Sequence, residues 1–135
     1  MKEVLSEELK IELTEELTEE LKVKSIEKRN LSMSSLNPQI LHVVLFKWNE
    51  EASPHAIQAA LEALRGLKNK VPGVLEITCG PNFSDRSKGW THGLVVRFAD
   101  REALEGYIPH PDHQAVVHEH ISPIRADILV MDYEI

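Results

Sequence analysis

Histidine gives this sequence most of its chemical potential, because all seven histidines lie between His42 and His120. Two of them belong to the run Tyr107-Ile108-Pro109-His110-Pro111-Asp112-His113. An imidazole exchanges a proton near neutral pH and binds metals, and a phenol donates a hydrogen bond. The run is therefore suited to proton transfer, metal binding or ligand recognition. His110 also suits a purely structural role, as the cap of a helix that begins at Pro111.

Metal binding is the less favoured use of these side chains. A zinc or iron site could in principle be built from four histidines and a nearby glutamate, namely His42, His92, His110, His113 and Glu119. However, the run straddles a helix start, and the sequence contains no His-x-x-x-His pair. The single cysteine, Cys79, excludes an internal disulfide and a cysteine zinc site. The sequence has neither a phosphate-binding glycine loop nor a Gly-x-Ser-x-Gly elbow, so we expect no metal and no cofactor.

Composition limits the class of protein. The chain has 135 residues and a formal net charge of -7, which argues against a surface that binds nucleic acid. No apolar run approaches the roughly 20 residues that span a bilayer. One cysteine fits a reducing compartment. We therefore expect a cytoplasmic protein with neither nucleic acid nor membrane as a partner.

The chain divides near residue 35. In residues 1–35 leucine recurs every four positions among Glu and Lys, which predicts a helical arm followed by a linker. The arm is interpreted as a solvated helix, as a docking or oligomerisation helix, or as a segment preceding a true start at Met33. Residues 36–135 hold every aromatic residue, histidine, glycine and proline, and they predict a compact domain.

The domain alternates strand and helix patterns. Apolar alternation predicts strands over 40–48, 74–79, 90–98 and 126–133, and helical spacing and caps predict helices over 53–70, 100–107 and 111–120. This order predicts an α+β fold, a ferredoxin-like βαββαβ sheet with helices on one face. The pattern leaves no element for the other face. We therefore expect two sheets to pack face to face in a homodimer.

Two predicted strands carry histidines on apolar faces. His42 shares a face with Val44 and Phe46, and His92 shares one with Leu94 and Val96. Apolar walls with a few polar tips are typical of a ligand cavity. Histidines in this setting are also commonly satisfied core residues, and Tyr107 could equally pack as a core aromatic residue.

Four segments resemble the stress-responsive dimeric α/β-barrel family, namely Leu41 to Trp48, Gly89-Trp90-Thr91-His92, the Tyr107 to His113 run, and Ile128 to Tyr133. The Tyr-x-x-His-Pro-x-His spacing is the most specific of these matches. The resemblance covers about residues 39–134 in the family's order. It implies a homodimer whose sheets close into a barrel, with a cavity between sheet and helices in each protomer.

The resemblance also implies roles for individual residues. A plant polyketide cyclase of the family performs an intramolecular aldol condensation without a cofactor, and the match gives His113 as its general base and Tyr107 as the assisting group. His42 and His92 match two further pocket histidines. A position in the first turn of a buried helix would keep His113 neutral near pH 7.

Three functions remain open at this stage. The first is a homodimeric protein that binds a small apolar ligand through His42, His92, Val44, Phe46, Leu94, Val96 and His110. The second is a cyclase or lyase in which His113 and Tyr107 are catalytic, and the third is a structural oligomerisation module. Trp48 or Trp90 in the cavity would exclude the second function, because either side chain would fill it.

Overall fold

A computed structural model describes residues 37–135 of the chain. The predicted arm and linker of residues 1–35, and the alternative start at Met33, lie outside the described residues. Within residues 37–135, no helix is long and apolar enough to cross a membrane.

Four strands form one antiparallel sheet. They are β1 (Ile40–Trp48), β2 (Val74–Pro81), β3 (His92–Phe98) and β4 (Arg125–Glu134). Their order across the sheet is β2-β3-β1-β4, so β1 is central and β4 lies at an edge. This arrangement confirms the predicted ferredoxin-like fold.

The turn between β2 and β3 differs from the prediction. β2 extends to Pro81 and β3 begins at His92 instead of residue 90, and these two residues pair across the ladder. Lys88 and Gly89 have positive φ values of 53° and 88°. Backbone in that region cannot continue a strand, so the ladder ends before it.

Three α-helices begin near the predicted positions, and side chains cap all of them. They are α1 (Pro54–Arg65), α2 (Arg101–Tyr107) and α3 (Pro111–Val116). Ser53, Asp100 and His110 accept hydrogen bonds from the backbone amides of the first turns. A 3₁₀ turn, Gly66–Asn69, extends α1, and a π-helical turn, Val117–Ile121, extends α3. The sequence predicts one helix over 111–120, whereas the structure has an α-helix followed by a π-helical turn. The π-helical spacing is seen in the hydrogen bond from the Ser122 amide to the Val117 carbonyl, five residues earlier.

One face of the sheet packs against the helices and forms the core. Alternate residues of β1 and β3 are buried on this face, namely Ile40, His42, Val44, Phe46, Leu94, Val96 and Phe98. The helices contribute Leu61, Leu64, Tyr107 and Ile121 to the same core. Gly73 allows α2 to approach the sheet, because a Cβ atom there would clash with the Cβ atom of Ala103.

The opposite face of the sheet, called here the open face, is apolar and bears no helix of the described residues. Leu41, Val43 and Leu45 of β1 lie opposite Tyr133, Met131 and Leu129 of β4. These three β4 side chains are 43 %, 57 % and 50 % exposed. An exposed apolar surface of this kind is typical of an interaction site.

Candidate functional site

A cavity of about 160 Å³ lies between the helix-covered face of the sheet and the helices. Its sheet wall consists of His42, Val44, Phe46, Leu94, Ile128 and Val130. Its helix wall consists of Leu64, Tyr107, Ile108, His113, Val117 and Ile121. The π-helical turn contributes both Val117 and Ile121 to this wall. An apolar cavity of about 150 Å³ accepts benzene, so this one fits a compact molecule with a single ring.

Tyr107 is the last residue of α2 and is only 1 % exposed. Its ring packs edge-on against Phe98, with centroids 5.0 Å apart, and tilts over the His113 ring at 4.3 Å. Burial raises the pKa of Tyr107 to about 12. The side chain is therefore a neutral phenol at physiological pH, and it can donate a hydrogen bond to a ligand oxygen.

The His113 ring is oriented by the backbone. Its Nδ1 atom lies 2.9 Å from the Ile108 carbonyl oxygen, which can only accept, so Nδ1 carries the hydrogen and Nε2 keeps a lone pair. Burial lowers the pKa of His113, and the nearby His42 and His110 lower it further, against the opposing effect of the Ile108 carbonyl. His113 is therefore neutral near pH 7, with Nε2 free to accept a proton.

A second imidazole reaches the cavity from the sheet. His42 is 5 % exposed, and its Nδ1 lies 2.5 Å from the Asp132 carboxylate on the neighbouring strand β4. Its ring is 6.1 Å from those of both Phe98 and Tyr107. A carboxylate accepts hydrogen bonds, so Nδ1 donates and Nε2 is the nitrogen left for a ligand.

The cavity brings six of the predicted site residues together, namely His42, Val44, Phe46, Leu94, Tyr107 and His113. It does not include the other three. His92 accepts a hydrogen bond from the Trp48 indole at 2.9 Å, and burial lowers its pKa. Val96 is fully buried in the core, and His110 caps α3. A ligand contact at these three residues stays a prediction.

Neither tryptophan lines the cavity. Trp48 stacks on Phe46 with ring centroids 4.9 Å apart, and Trp90 lies beneath the Lys47 ammonium group at 4.4 Å. The space between Tyr107 and the sheet is therefore free of both bulky side chains. Among residues 37–135, no three His, Cys, Asp or Glu side chains are grouped closely enough to hold a metal ion.

The family profile "Stress responsive A/B Barrel Domain" matches residues 40–135, which is all of the sheet and its helices. The chain belongs to this family. One relative of this A/B barrel domain is a stress-response A/B barrel domain-containing protein of Arabidopsis thaliana, 30 % identical over 138 residues. The match covers 98 % of this chain and 52 % of the plant protein, so the chain spans about half the length of that relative.

Two further proteins resemble the A/B barrel domain. Olivetolic acid cyclase of Cannabis sativa is 25 % identical over 76 residues, covering 55 % of this chain and 75 % of the cyclase. A dimeric ferredoxin-like protein of unknown function from Jannaschia sp. superposes with a TM-score of 0.63 at 31 % identity, covering 72 % of this chain and 99 % of that protein.

The sequence analysis missed two contributors to this A/B barrel site. Asp132 lies between the apolar Met131 and Tyr133 of β4, on the same face as Ile128 and Val130, and this position was a usable signal. Its partner could be named only from strand pairing, which sets Asp132 opposite His42. The Ile108 carbonyl left no signal, because the role of a backbone acceptor does not depend on residue type.

Proposed function

We propose that this A/B barrel domain forms a homodimer through the open face and that each protomer binds a small, compact apolar ligand in its cavity. The observation that carries the ligand proposal is the cavity itself. The cavity has a volume of about 160 Å³ and mostly apolar walls, and the side chains of His42, Tyr107 and His113 supply three polar groups. This combination is the usual character of a small-molecule site.

The homodimer rests on the apolar open face and on the relative from Jannaschia sp., which is described as dimeric. Met131 lies near the centre of the β4 part of this face and is 57 % exposed. Met131→Glu should therefore leave the protomer folded and abolish dimerisation, because a buried unpaired charge is costly at an interface. His55→Glu on the exposed side of α1 is the matched control. Sedimentation velocity should give a monomer for the first variant only. A dimeric Met131→Glu protein would contradict the proposed interface.

Ligand binding is tested by blocking the cavity from its rim. Val130 lines the cavity yet is 48 % exposed, so Val130→Trp can fill the opening with little strain in the core. Ala115→Trp adds the same side chain at an exposed position on α3 outside the cavity. A thermal-shift series of neutral compounds with one ring should stabilise the wild type and Ala115→Trp but not Val130→Trp. Equal shifts in all three proteins would contradict binding in this cavity.

A second candidate function is proton transfer at carbon. It is favoured by the orientation of His113, whose Nε2 is left as a base beside the Tyr107 ring. In this reaction Nε2 removes a proton from the carbon next to a carbonyl, and the Tyr107 hydroxyl stabilises the enolate oxygen. The carbanion then forms a carbon–carbon bond to a second carbonyl, and the proton returns to the new alkoxide. The resemblance to olivetolic acid cyclase supports this chemistry, while the volume favours a substrate more compact than an extended polyketide.

Deuterium exchange separates a catalyst from a binding protein. Cyclohexanone in D₂O exchanges the hydrogens beside its carbonyl slowly near neutral pH, and NMR follows the exchange. If His113 is a base, the wild type accelerates this exchange, His113→Gln returns it to the buffer rate, and His118→Gln, at an exposed position, has no effect. Binding of cyclohexanone without acceleration would leave the ligand-binding function and exclude the catalytic one.

A further inference from the structure

The polar groups of the cavity suggest which ligands it prefers. Resting on the proposed ligand-binding function, we infer that the cavity selects neutral compounds bearing a hydroxyl or enol hydrogen over carboxylates. Asp132 is the positioning residue for this preference, because it fixes the tautomer of His42. The first support is geometric. His42 and His113 line one cavity from opposite walls, and Nδ1 of each ring is engaged by a protein acceptor, the Asp132 carboxylate or the Ile108 carbonyl.

The hydrogen-bond inventory follows from those two contacts. In the neutral form of both rings, with Nδ1 donating, Nε2 of His42 and of His113 carries a lone pair, and Tyr107 presents a hydroxyl. The cavity therefore offers two acceptors and one group that donates or accepts. A hydroxyl or enol satisfies this set, since it can donate to an Nε2 and accept from Tyr107. A carboxylate can only accept, and it would leave both Nε2 atoms facing lone pairs.

The charges around Asp132 act in the same direction. The Asp132 side chain is 41 % exposed beside His42, and it also borders a surface groove with Glu105, Glu134 and Arg101. The one cation in that group, Arg101, is paired with Glu134. Three carboxylates and one arginine thus line this groove, which is linked to the cavity through the Asp132–His42 contact, and their net negative charge disfavours an anion beside His42.

The Asp132→Asn variant changes the tautomer of His42 but keeps the shape of the site. An asparagine keeps the size of the side chain, but its amide group can donate to Nδ1 of His42 and move the ring hydrogen to Nε2. His42 would then offer the cavity a donor, and one negative charge would be lost. Carboxylate binding should improve, whereas a purely structural role for Asp132 would affect all ligands alike. Asp127→Asn is the matched control, since Asp127 lies on β4 outside the cavity and accepts from the Ile128 amide.

The experiment measures the dissociation constants of phenol, benzoate and toluene at about pH 8, where free imidazole is neutral. Wild type and Asp127→Asn should bind phenol more tightly than benzoate. In Asp132→Asn the benzoate-to-phenol ratio of dissociation constants should fall by about fivefold or more, the value of one hydrogen bond. Toluene affinity should be unchanged, which shows that the cavity is intact. Nitrogen-15 NMR should show the His42 hydrogen on Nδ1 in the wild type and on Nε2 in Asp132→Asn.

The outcomes separate the two proposals. If none of the three probes binds the wild type, the ligand-binding function itself fails. If toluene and phenol bind but benzoate binds the wild type as tightly as phenol, the inference is overturned while ligand binding stands. An unchanged ratio or an unchanged His42 tautomer in Asp132→Asn would also overturn it.

Discussion

Replacing Tyr107 with phenylalanine tests whether its hydroxyl serves a ligand or the fold. The ring is 1 % exposed and packs against Phe98, His113 and His42, with centroids at 5.0, 4.3 and 6.1 Å. Phenylalanine keeps all of these ring contacts. Within residues 37–135 the hydroxyl forms no hydrogen bond, so its loss should change the free energy of unfolding by about 1 kcal/mol or less. Tyr107→Ala removes the ring as well, and should cost about 3–5 kcal/mol.

The two functions predict different losses in Tyr107→Phe. Ligand affinity should fall by the value of one hydrogen bond, about 1 kcal/mol or roughly fivefold. If the hydroxyl stabilises an enolate, the exchange rate should fall by about 100-fold or more. Urea unfolding followed by tryptophan fluorescence gives the stability, and ligand titration and deuterium exchange give the other two quantities. A loss of more than about 2 kcal/mol in the stability of Tyr107→Phe would refute the reasoning, because the hydroxyl would then hold the fold together.

Three further predictions concern stability. Gly73→Ala should lower the free energy of unfolding in urea by about 2–4 kcal/mol, because Gly73 has a positive φ of 83° and a Cβ atom there would clash with Ala103. Gly66→Ala is the control and should be neutral or slightly stabilising, because Gly66 has a helical φ and open space around it. Asp100→Ala should cost about 1 kcal/mol by removing the cap of α2, and a neutral result would show that the cap contributes little. The lowered pKa of His113 means that the unfolded chain binds more protons between that pKa and the ordinary value of 6.5, so stability should fall as pH decreases through this window and level off above it. His113→Gln should reduce this slope between about pH 7.5 and about pH 5, with His118→Gln as control, and an unchanged slope would contradict the assigned burial effect.

The sequence predicted the elements well because their signals are local. Ser53 before Pro54, Asp100 before α2 and the Pro111 start each act within one helical turn, and all three helices begin there. The alternation of His42, Val44 and Phe46 likewise gave the buried face of β1, since side chains in a strand alternate.

The parts that sequence analysis missed depend on long-range contacts. His42 and Asp132 are 90 positions apart, so no local pattern links them. The π-helical turn after α3 depends on backbone hydrogen bonds of wider spacing, such as that from the Ser122 amide to the Val117 carbonyl, which residue preferences do not encode. The predicted third strand began two residues too early, because Trp90 still belongs to the preceding turn, where its amide donates to the Ser87 carbonyl.

Strand β4 contributes side chains both to the cavity wall and to the open face. Ile128, Val130 and Asp132 alternate along it with Leu129, Met131 and Tyr133, so the first set faces the cavity wall and the second set the open face. A single inserted or deleted residue within β4 would exchange the two sets, because side chains in a strand alternate with a period of two. It would bring Met131 or its neighbours to His42 and turn Asp132 outward. The register of β4 thus couples the chemistry of the cavity to the surface available for assembly. A shift of the register by an odd number of residues changes both surfaces together.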